Sequence, residues 1–364
     1  MRTVVIIADS DPRKKVIGGI GIYAYNLTRY LTTHNHKVIF IGKKHDCEII
    51  NNFDNFEFVE ATAKHPSSNI AFLKGLYVVS RMITMPEDAV IHSQRPDWLI
   101  PFSKLKNKKI ITLHGSHAKN VYLKKGLIFG KIYSFLEKKG LKLADKIISV
   151  SEENANYYRK MYEKDKKICD KIITIPIGVD LSRFNDIDKA KARKKYSLSL
   201  KDKAVCYVGR LEAEKNVKVI IKASKEADVK LLIFGDGKES EHLKTYAKEI
   251  SSNAMFFGSI PNDDVPSALA CSDALCLSSL YEGLPTVAIE ALASGIPVVS
   301  TDVGDIRKLV VEGFTGFIAN AENYSEKIKL AIARGKDMQK DCLAKASEYD
   351  MERIGEEIVK VYGE

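Results

Sequence analysis

Two carboxylates, Glu282 and Glu290, enclose seven residues in the stretch SSLYEGLPTVAIEALASGIPVVS. The pattern predicts a tight loop over Glu282 to Pro285, Thr286 as an N-cap, a short Ala-rich helix from Val287 to Ser294, and a stop at Gly295 and Pro297. The first amides of such a helix, around Val287 and Ala288, have no intrahelical partner, and with the helix dipole they favour an anion such as phosphate. A carboxylate on either side adds acceptors for sugar hydroxyls, and a nucleoside diphosphate sugar carries both kinds of group. Upstream, Arg210 and Lys215 follow the apolar run AVCYVG. Arg210 offers a planar fork of donors and Lys215 a point charge, a pair matched to a diphosphate. Cations at a helix start are disfavoured without an anion. With one, the pair would replace a metal ion and stabilise the negative charge on a leaving diphosphate. His114, ending KKIITLH, is placed to donate to a sugar hydroxyl or to move a proton near neutral pH.

The elements that must hold these residues are short Val/Ile-rich runs separated by helical patterns. The first half reads VVIIA, KVIFIG, FEFVEA, AVIHS, KKIITLHG, KIISVS and KIITIPIG; the second reads AVCYVG, KLLIFG, AMFFGS, ALCLSS and IPVV, with a further helix expected after the last. Such runs imply parallel sheets covered by helices on both faces, hence an α/β chain of two Rossmann-like domains with a seam near Pro176 to Phe184. In such sheets ligands bind beyond the carboxyl ends of the strands. That draws in Gly18 and Gly19, a glycine pair before the first helix, where a backbone can approach a phosphate or sugar closely. The C-terminal segment EYDMERIGEEIVKVY reads as a helix with apolar positions at Met351, Ile354, Ile358 and Val361.

At 364 residues the chain exceeds the usual size of one core. No apolar run approaches the roughly 20 residues that span a bilayer, and MRTVVIIADSD reads as a first strand, so a soluble, cytoplasmic protein is expected. The six cysteines form no CxxC pair and are expected reduced. Asp9-Ser10-Asp11 and Asp186-Ile187-Asp188 have the form of D-x-D metal motifs outside a suitable context, and no metal site is expected. The net charge of +10 is uneven: residues 1–180 hold 30 Lys and Arg against 18 Asp and Glu, a net +12, and the remainder is at −2. The excess is densest over Pro101 to Lys146, where 12 lysines face Glu137 and Asp145. Within it, Tyr122, Leu127, Ile128, Phe129, Ile132, Tyr133, Phe135 and Leu136 interleave with lysines. Two readings stand side by side: an interface with anionic lipid or a phosphorylated acceptor, which would make the protein peripheral at the inner face of a membrane, or an apolar face packed on the sheet with solvated lysines. Base-reading and stacking motifs for nucleic acid are missing.

The Glu282/Glu290 spacing, with GLP after the first and ALASGIPVV after the second, together with Gly209-Arg210 and Lys215-Asn216 upstream, resembles the retaining glycosyltransferases of family 4. The resemblance implies the GT-B fold, two Rossmann-like domains facing across a cleft: 1–180 on the acceptor side, joined by the C-terminal helix 350–364, and 181–349 binding the nucleotide sugar. It implies transfer of a sugar from a nucleoside diphosphate sugar to a hydroxyl of a glycan, lipid-linked or small-molecule acceptor, in polysaccharide or glycolipid biosynthesis, with no cofactor and no metal. Carried over by position, Arg210 and Lys215 would hold the diphosphate with Gly209, Glu290 the ribose hydroxyls, and Glu282 the transferred sugar. Backbone groups of Gly283, Leu284, Pro285, Thr286 and Val287 would assist, Ser259 and Ile260 would read the base, and His114 and Gly19 would complete the site from the first domain. A nucleotide-sugar 2-epimerase shares this architecture but needs further acid/base residues, and a silent nucleotide-sugar binding protein would keep the donor site alone.

Overall fold

The computed structural model describes residues 2–14, 18–43, 48–61, 69–115 and 117–363, and their side chains except for 69, 117–121 and 123–125. The chain divides into two compact units, Met1–Gly178 with Met351–Glu364, and Val179–Asp350.

The first unit is built on a seven-stranded parallel sheet: β1 Thr3–Ile7, β2 Lys37–Gly42, β3 Phe56–Glu60, β4 Val90–Ser93, β5 Lys108–Leu113, β6 Lys146–Ser149 and β7 Ile172–Thr174, in the order β3-β2-β1-β4-β5-β6-β7. Side chains of a strand alternate between faces. Val5 and Ile7 accordingly enter one core with Phe72, Trp98 and Leu141, while Val4 and Ile6 enter another with Tyr23, Leu27 and Ile354. Both faces are covered, so β1 is buried throughout and apolar from Val4 to Ile7. The covering helices are α1 Gly19–Thr33, α2 Asn69–Met82, α3 His117–Leu143, α4 Glu152–Met161 and α5 Lys166–Cys169, with a 3-10 segment at Asp97–Phe102. Helix α3 is broken at Gly126, whose φ of +80° is open to glycine at little cost.

The second unit repeats the plan with six parallel strands, β8 Ala204–Val208, β9 Lys230–Phe234, β10 Ala254–Gly258, β11 Ala274–Leu277, β12 Val298–Ser300 and β13 Gly316–Ile318, ordered β10-β9-β8-β11-β12-β13. Its helices are α6 Lys189–Lys195, α7 Val217–Ala227, α8 Ser240–Glu249, α9 Val265–Ala270, α10 Thr286–Ala293 and α11 Tyr324–Ser347. The helix expected after IPVV is a 3-10 turn, Ile306–Lys308, and the chain then adds β13, a strand too short to stand out as an apolar run. The last helix, α12 Met351–Gly363, belongs to the first unit. It packs on α1, buries Met351, Ile354, Ile358 and Val361, and its Tyr362 hydroxyl meets His92 Nδ1 at 2.7 Å. The described cysteines, Cys169, Cys206, Cys271, Cys276 and Cys342, are free thiols, and Cys47 lies outside the described residues.

Each sheet reverses its strand order once, between β1 and β4 in the first and between β8 and β11 in the second. At such a reversal the connecting helices leave to opposite sides, and the loops at the carboxyl ends splay apart into a ready crevice.

Candidate functional site

In the second sheet the two loops flanking the reversal carry Lys215 and Glu282. The loop after β8 runs through Gly209 and the exposed Arg210 to a 3-10 turn, Ala213–Lys215, and Asn216 then adopts a left-handed conformation (φ 48°) to open α7. The loop after β11 runs from Ser278 to Pro285 and opens α10. Hydrogen bonds tie the two loops together: Ser278 Oγ donates to the carbonyls of Lys215 and Asn216, both at 2.9 Å, and the Leu280 amide to the Glu214 carbonyl at 2.8 Å. Lys215 Nζ thereby meets Glu282 Oε2 in an ion pair, and Ser279 Oγ donates to the same oxygen at 3.1 Å. The two side chains are only 19% and 24% exposed, so water screens the pair less than a surface pair. Arg210 stands outside it with Nη2 3.9 Å from Glu214 Oε1, and its carbonyl accepts from Tyr207 Oη at 2.8 Å. Burial, and then the charge of Glu282, keep the Tyr207 phenol protonated well above its usual range.

A third loop supports Glu282 from behind. Gly304, after β12, has φ +58°, and a Cβ there would lie 2.2 Å from the Glu282 carbonyl oxygen and 2.3 Å from that of Gly283. The Asp305 amide donates to the Gly283 carbonyl at 3.0 Å. Position 304 thus has no room for a side chain, a requirement not visible in the sequence because its cause lies 21 and 22 residues away.

The start of α10 differs in detail from expectation. Pro285, extended at φ −73° and ψ 112°, is the N-cap and Thr286 the first helical residue, with no side-chain cap. The Ala288 amide is taken by the Pro285 carbonyl at 3.0 Å, because the first turn tightens to an i to i+3 bond. For the Thr286 and Val287 amides no hydrogen bond is found among the described residues. Leu284 and Pro285 are buried, while Gly283, Thr286 and Val287 are half-buried. Glu290 is buried, and burial pushes its carboxyl up to about 7, with the charge of Arg183 pulling the other way. Arg183 also donates to the Asn262 carbonyl at 2.7 Å; it carries no motif, and packing alone brings it to Glu290. Ser259 is exposed and Ile260 half-buried just after β10, the edge strand, two strands away from β8.

In the first unit, Gly18 is the N-cap of α1, and Gly18 and Gly19 are both exposed with open space where a Cβ would point. His114 follows β5 and is half-buried, its Nε2 2.8 Å from Gln94 Oε1 and its ring edge-on to Tyr23 at 4.8 Å. Gln94 follows β4 at the strand reversal, its amide donating to the Ile7 carbonyl at 3.0 Å. Its side chain is fully buried, and Nε2 has no partner among the described residues. Gln94 was missed in the sequence, where SQ at a strand end has no chemical signature. Among the described residues no three His, Cys, Asp or Glu side chains gather as a metal would require.

Comparison with known proteins gives these features a setting. Residues 17–183 match the family described as Glycosyltransferase Family 4, and residues 188–348 match Glycosyl transferases group 1. A Bacillus subtilis protein named as a glycosyltransferase of teichuronic acid biosynthesis is 33% identical over 204 residues, covering 55% of this chain and 48% of that protein, so the shared region is about half of the relative. Sucrose-phosphate synthase from Thermosynechococcus elongatus superposes over 100% of this chain and 98% of its own with a TM-score of 0.82 at 21% identity. HepE of Anabaena, solved in complex with UDP-glucose, superposes over 100% of both chains with a TM-score of 0.73 at 16% identity. At these identities the likeness is one of fold.

Proposed function

The chain belongs to the family 4, group 1 glycosyltransferases and has their GT-B fold of two Rossmann-like domains, and from that premise we propose that it moves a sugar from a nucleoside diphosphate sugar to an acceptor hydroxyl with retention and without a metal. The observation that carries this reading is the Lys215–Glu282 pair at the strand reversal of the second sheet, with Arg210 beside it. A diphosphate needs concentrated positive charge, and a sugar needs an acceptor within reach of it. Here one ion pair holds a cation and a carboxylate side by side. The donor diphosphate recruits Lys215 and Arg210, and Glu282, released from Lys215, accepts from the hydroxyls of the transferred sugar. Glu290 takes the ribose hydroxyls, the backbone at Gly209 and from Gly283 to Val287 lines the phosphates, and Ser259 and Ile260 face the base. On the family pattern, His114 and Gly19 are assigned to the sugar and the acceptor.

In the proposed reaction the bond from the anomeric carbon to the diphosphate oxygen breaks and the acceptor oxygen bonds to that carbon from the same face. An oxocarbenium-like state lies between, and the acceptor proton passes to the leaving phosphate oxygen. Lys215 and Arg210 stabilise charge growing on that phosphate.

The test is a melting-temperature screen against UDP, GDP, ADP and TDP and their sugar conjugates in EDTA, followed by NMR of the anomeric configuration of any transfer product. A rise with one nucleotide family and a product of unchanged configuration are expected. No rise with any of them, or activity only on adding a divalent ion, overturns the metal-free reading. Epimerised donor formed without acceptor would point to the 2-epimerase instead.

A further inference from the structure

Helices α2 and α3 both pack on the 3-10 segment Asp97–Phe102, sharing a core in which Phe72 and Leu76 of α2 and Leu141 of α3 meet Trp98, Leu99 and Phe102. Their inward faces are thus filled, and a helix of this kind ordinarily turns a polar face to water. These two do not. On α2, Ile70, Tyr77, Val78 and Met82 are 44–76% exposed beside the exposed cations Lys74 and Arg81. On α3, Leu127, Ile128, Phe129, Ile132 and Phe135 are 54–73% exposed, and the same helix presents Lys131, Lys138, Lys139 and Lys142 to solvent. The break at Gly126 starts a new helical run whose first three residues are all apolar and outward.

Neither helix offers an acid to solvent. Helix α2 contains none, and the one acid of α3, Glu137, is fully buried and accepts from Tyr158 Oη at 2.8 Å. Asp165, just before α5, partly offsets Lys142 at 3.2 Å and Lys138 at 3.9 Å. For Lys131 and Lys139 no ion pair is found among the described residues. The surface is therefore cationic and apolar at once, and it spans two neighbouring helices. Apolar exposure on this scale, on two helices that pack on one shared segment, marks an interaction site.

We propose that the outer face of α2 and α3 docks on a bilayer containing anionic lipid, with the apolar side chains at headgroup depth and the lysines on lipid phosphates. A second copy of the chain is disfavoured, because a self-complementary contact would bring the six cations of each copy face to face with no exposed acid on either helix to answer them. Nucleic acid would take the cations and leave the aliphatic side chains in water. An anionic bilayer takes both at once. No described helix is long and apolar enough to cross a membrane, so the contact proposed is with one leaflet. It is independent of the proposed reaction, and its test reads no turnover.

The test is co-sedimentation of the full chain with vesicles of phosphatidylcholine alone or mixed with phosphatidylglycerol. Binding to the mixed vesicles only, falling with added salt, is expected. Lys131→Gln with Lys139→Gln should weaken it by roughly five-fold for each lysine. Ile132→Ser with Phe135→Ser should abolish whatever binding survives at high salt. All four side chains are exposed, so unchanged melting temperatures will show that these variants still fold. Failure of the unaltered chain to bind mixed vesicles, equal binding by the variants, or a dimer in sedimentation equilibrium that Phe135→Ser disperses in place of vesicle binding would overturn the proposal.

Discussion

Lys215 and Glu282 are ion-paired across the reversal of strand order in the second sheet, one from the loop after β8 and the other from the loop after β11. The contact lets the two half-buried charges neutralise one another. In the proposed reaction a diphosphate that takes Lys215 would leave Glu282 without its cation, which would couple anion binding to release of the carboxylate. In the free protein neither group is left as an isolated half-buried charge, which would be costly.

That coupling predicts an asymmetric pair of variants. Glu282→Ala should abolish sugar transfer while the nucleoside diphosphate still binds at least as tightly, since Lys215 no longer has a competitor. Lys215→Ala should cost about two to three orders of magnitude in kcat and weaken diphosphate binding, because Glu282 is left to repel it. The double variant should recover part of that binding loss. Titration calorimetry on the four proteins measures the cycle, and retained turnover in Glu282→Ala would remove that residue from the reaction.

Glu290 predicts a pH dependence. Its carboxyl titrates at about 7 in the folded protein against 4.5 ordinarily, chiefly because it is buried. The folded state therefore binds a proton that the unfolded chain has released. The stability gained from that proton is fully present below about pH 4.5 and is lost as pH rises through about 7. The amount at stake is on the order of 3 kcal/mol. Glu290→Gln keeps the shape without the charge. It should flatten this part of the profile and raise the urea midpoint at pH 8.5, while losing nucleoside affinity if the carboxylate holds the ribose. An unchanged slope between pH 5 and 8.5 would show that another group governs it.

Gly304→Ala predicts a structural loss with a catalytic signature. The new methyl group meets the Glu282 and Gly283 carbonyls in a left-handed backbone, which should cost roughly 1–3 kcal/mol. Relief by shifting the loop moves Glu282. The melting temperature should fall, and kcat should fall further than the fraction of folded protein explains. A variant as stable and as active as the parent would show that the loop can move without consequence.

Gln94 predicts a positioning effect on His114. With the 2.8 Å contact to His114 Nε2 removed in Gln94→Leu, the imidazole is no longer held by that group, and kcat should drop about ten- to a hundred-fold with little change in donor KM. The pH profile of kcat should shift as well, a change that a purely structural role for Gln94 would not produce. Gln94→Glu, which keeps an acceptor toward His114, should recover part of the rate.

The sequence by itself determined a good deal of this molecule. The Val/Ile runs require parallel strands covered on both faces, because an apolar strand gains by leaving water, and every run read as a strand is one, with exposed residues only on the edge strands β3 and β10. The loop and short helix between Glu282 and Gly295 follow from Gly, Pro and Ala spacing, which acts over a few residues. Readings that rest on the next turn of chain are also local, and there small differences enter: Pro285 displaces Thr286 as the cap, and a 3-10 turn replaces the helix expected after β12. Tertiary structure alone decided the rest. It brought Lys215 to Glu282, Gly304 under the Glu282 backbone, Arg183 toward Glu290 and Gln94 to His114. It also turned Ile128, Ile132 and Phe135 outward where a sequence reading allowed them to pack inward. Each of these depends on which strands are neighbours and on which helix face the sheet leaves uncovered. Those are properties of the order β10-β9-β8-β11-β12-β13 and its counterpart in the first unit. Local propensity fixes where a strand begins and ends, and it carries no information about which strand lies beside it.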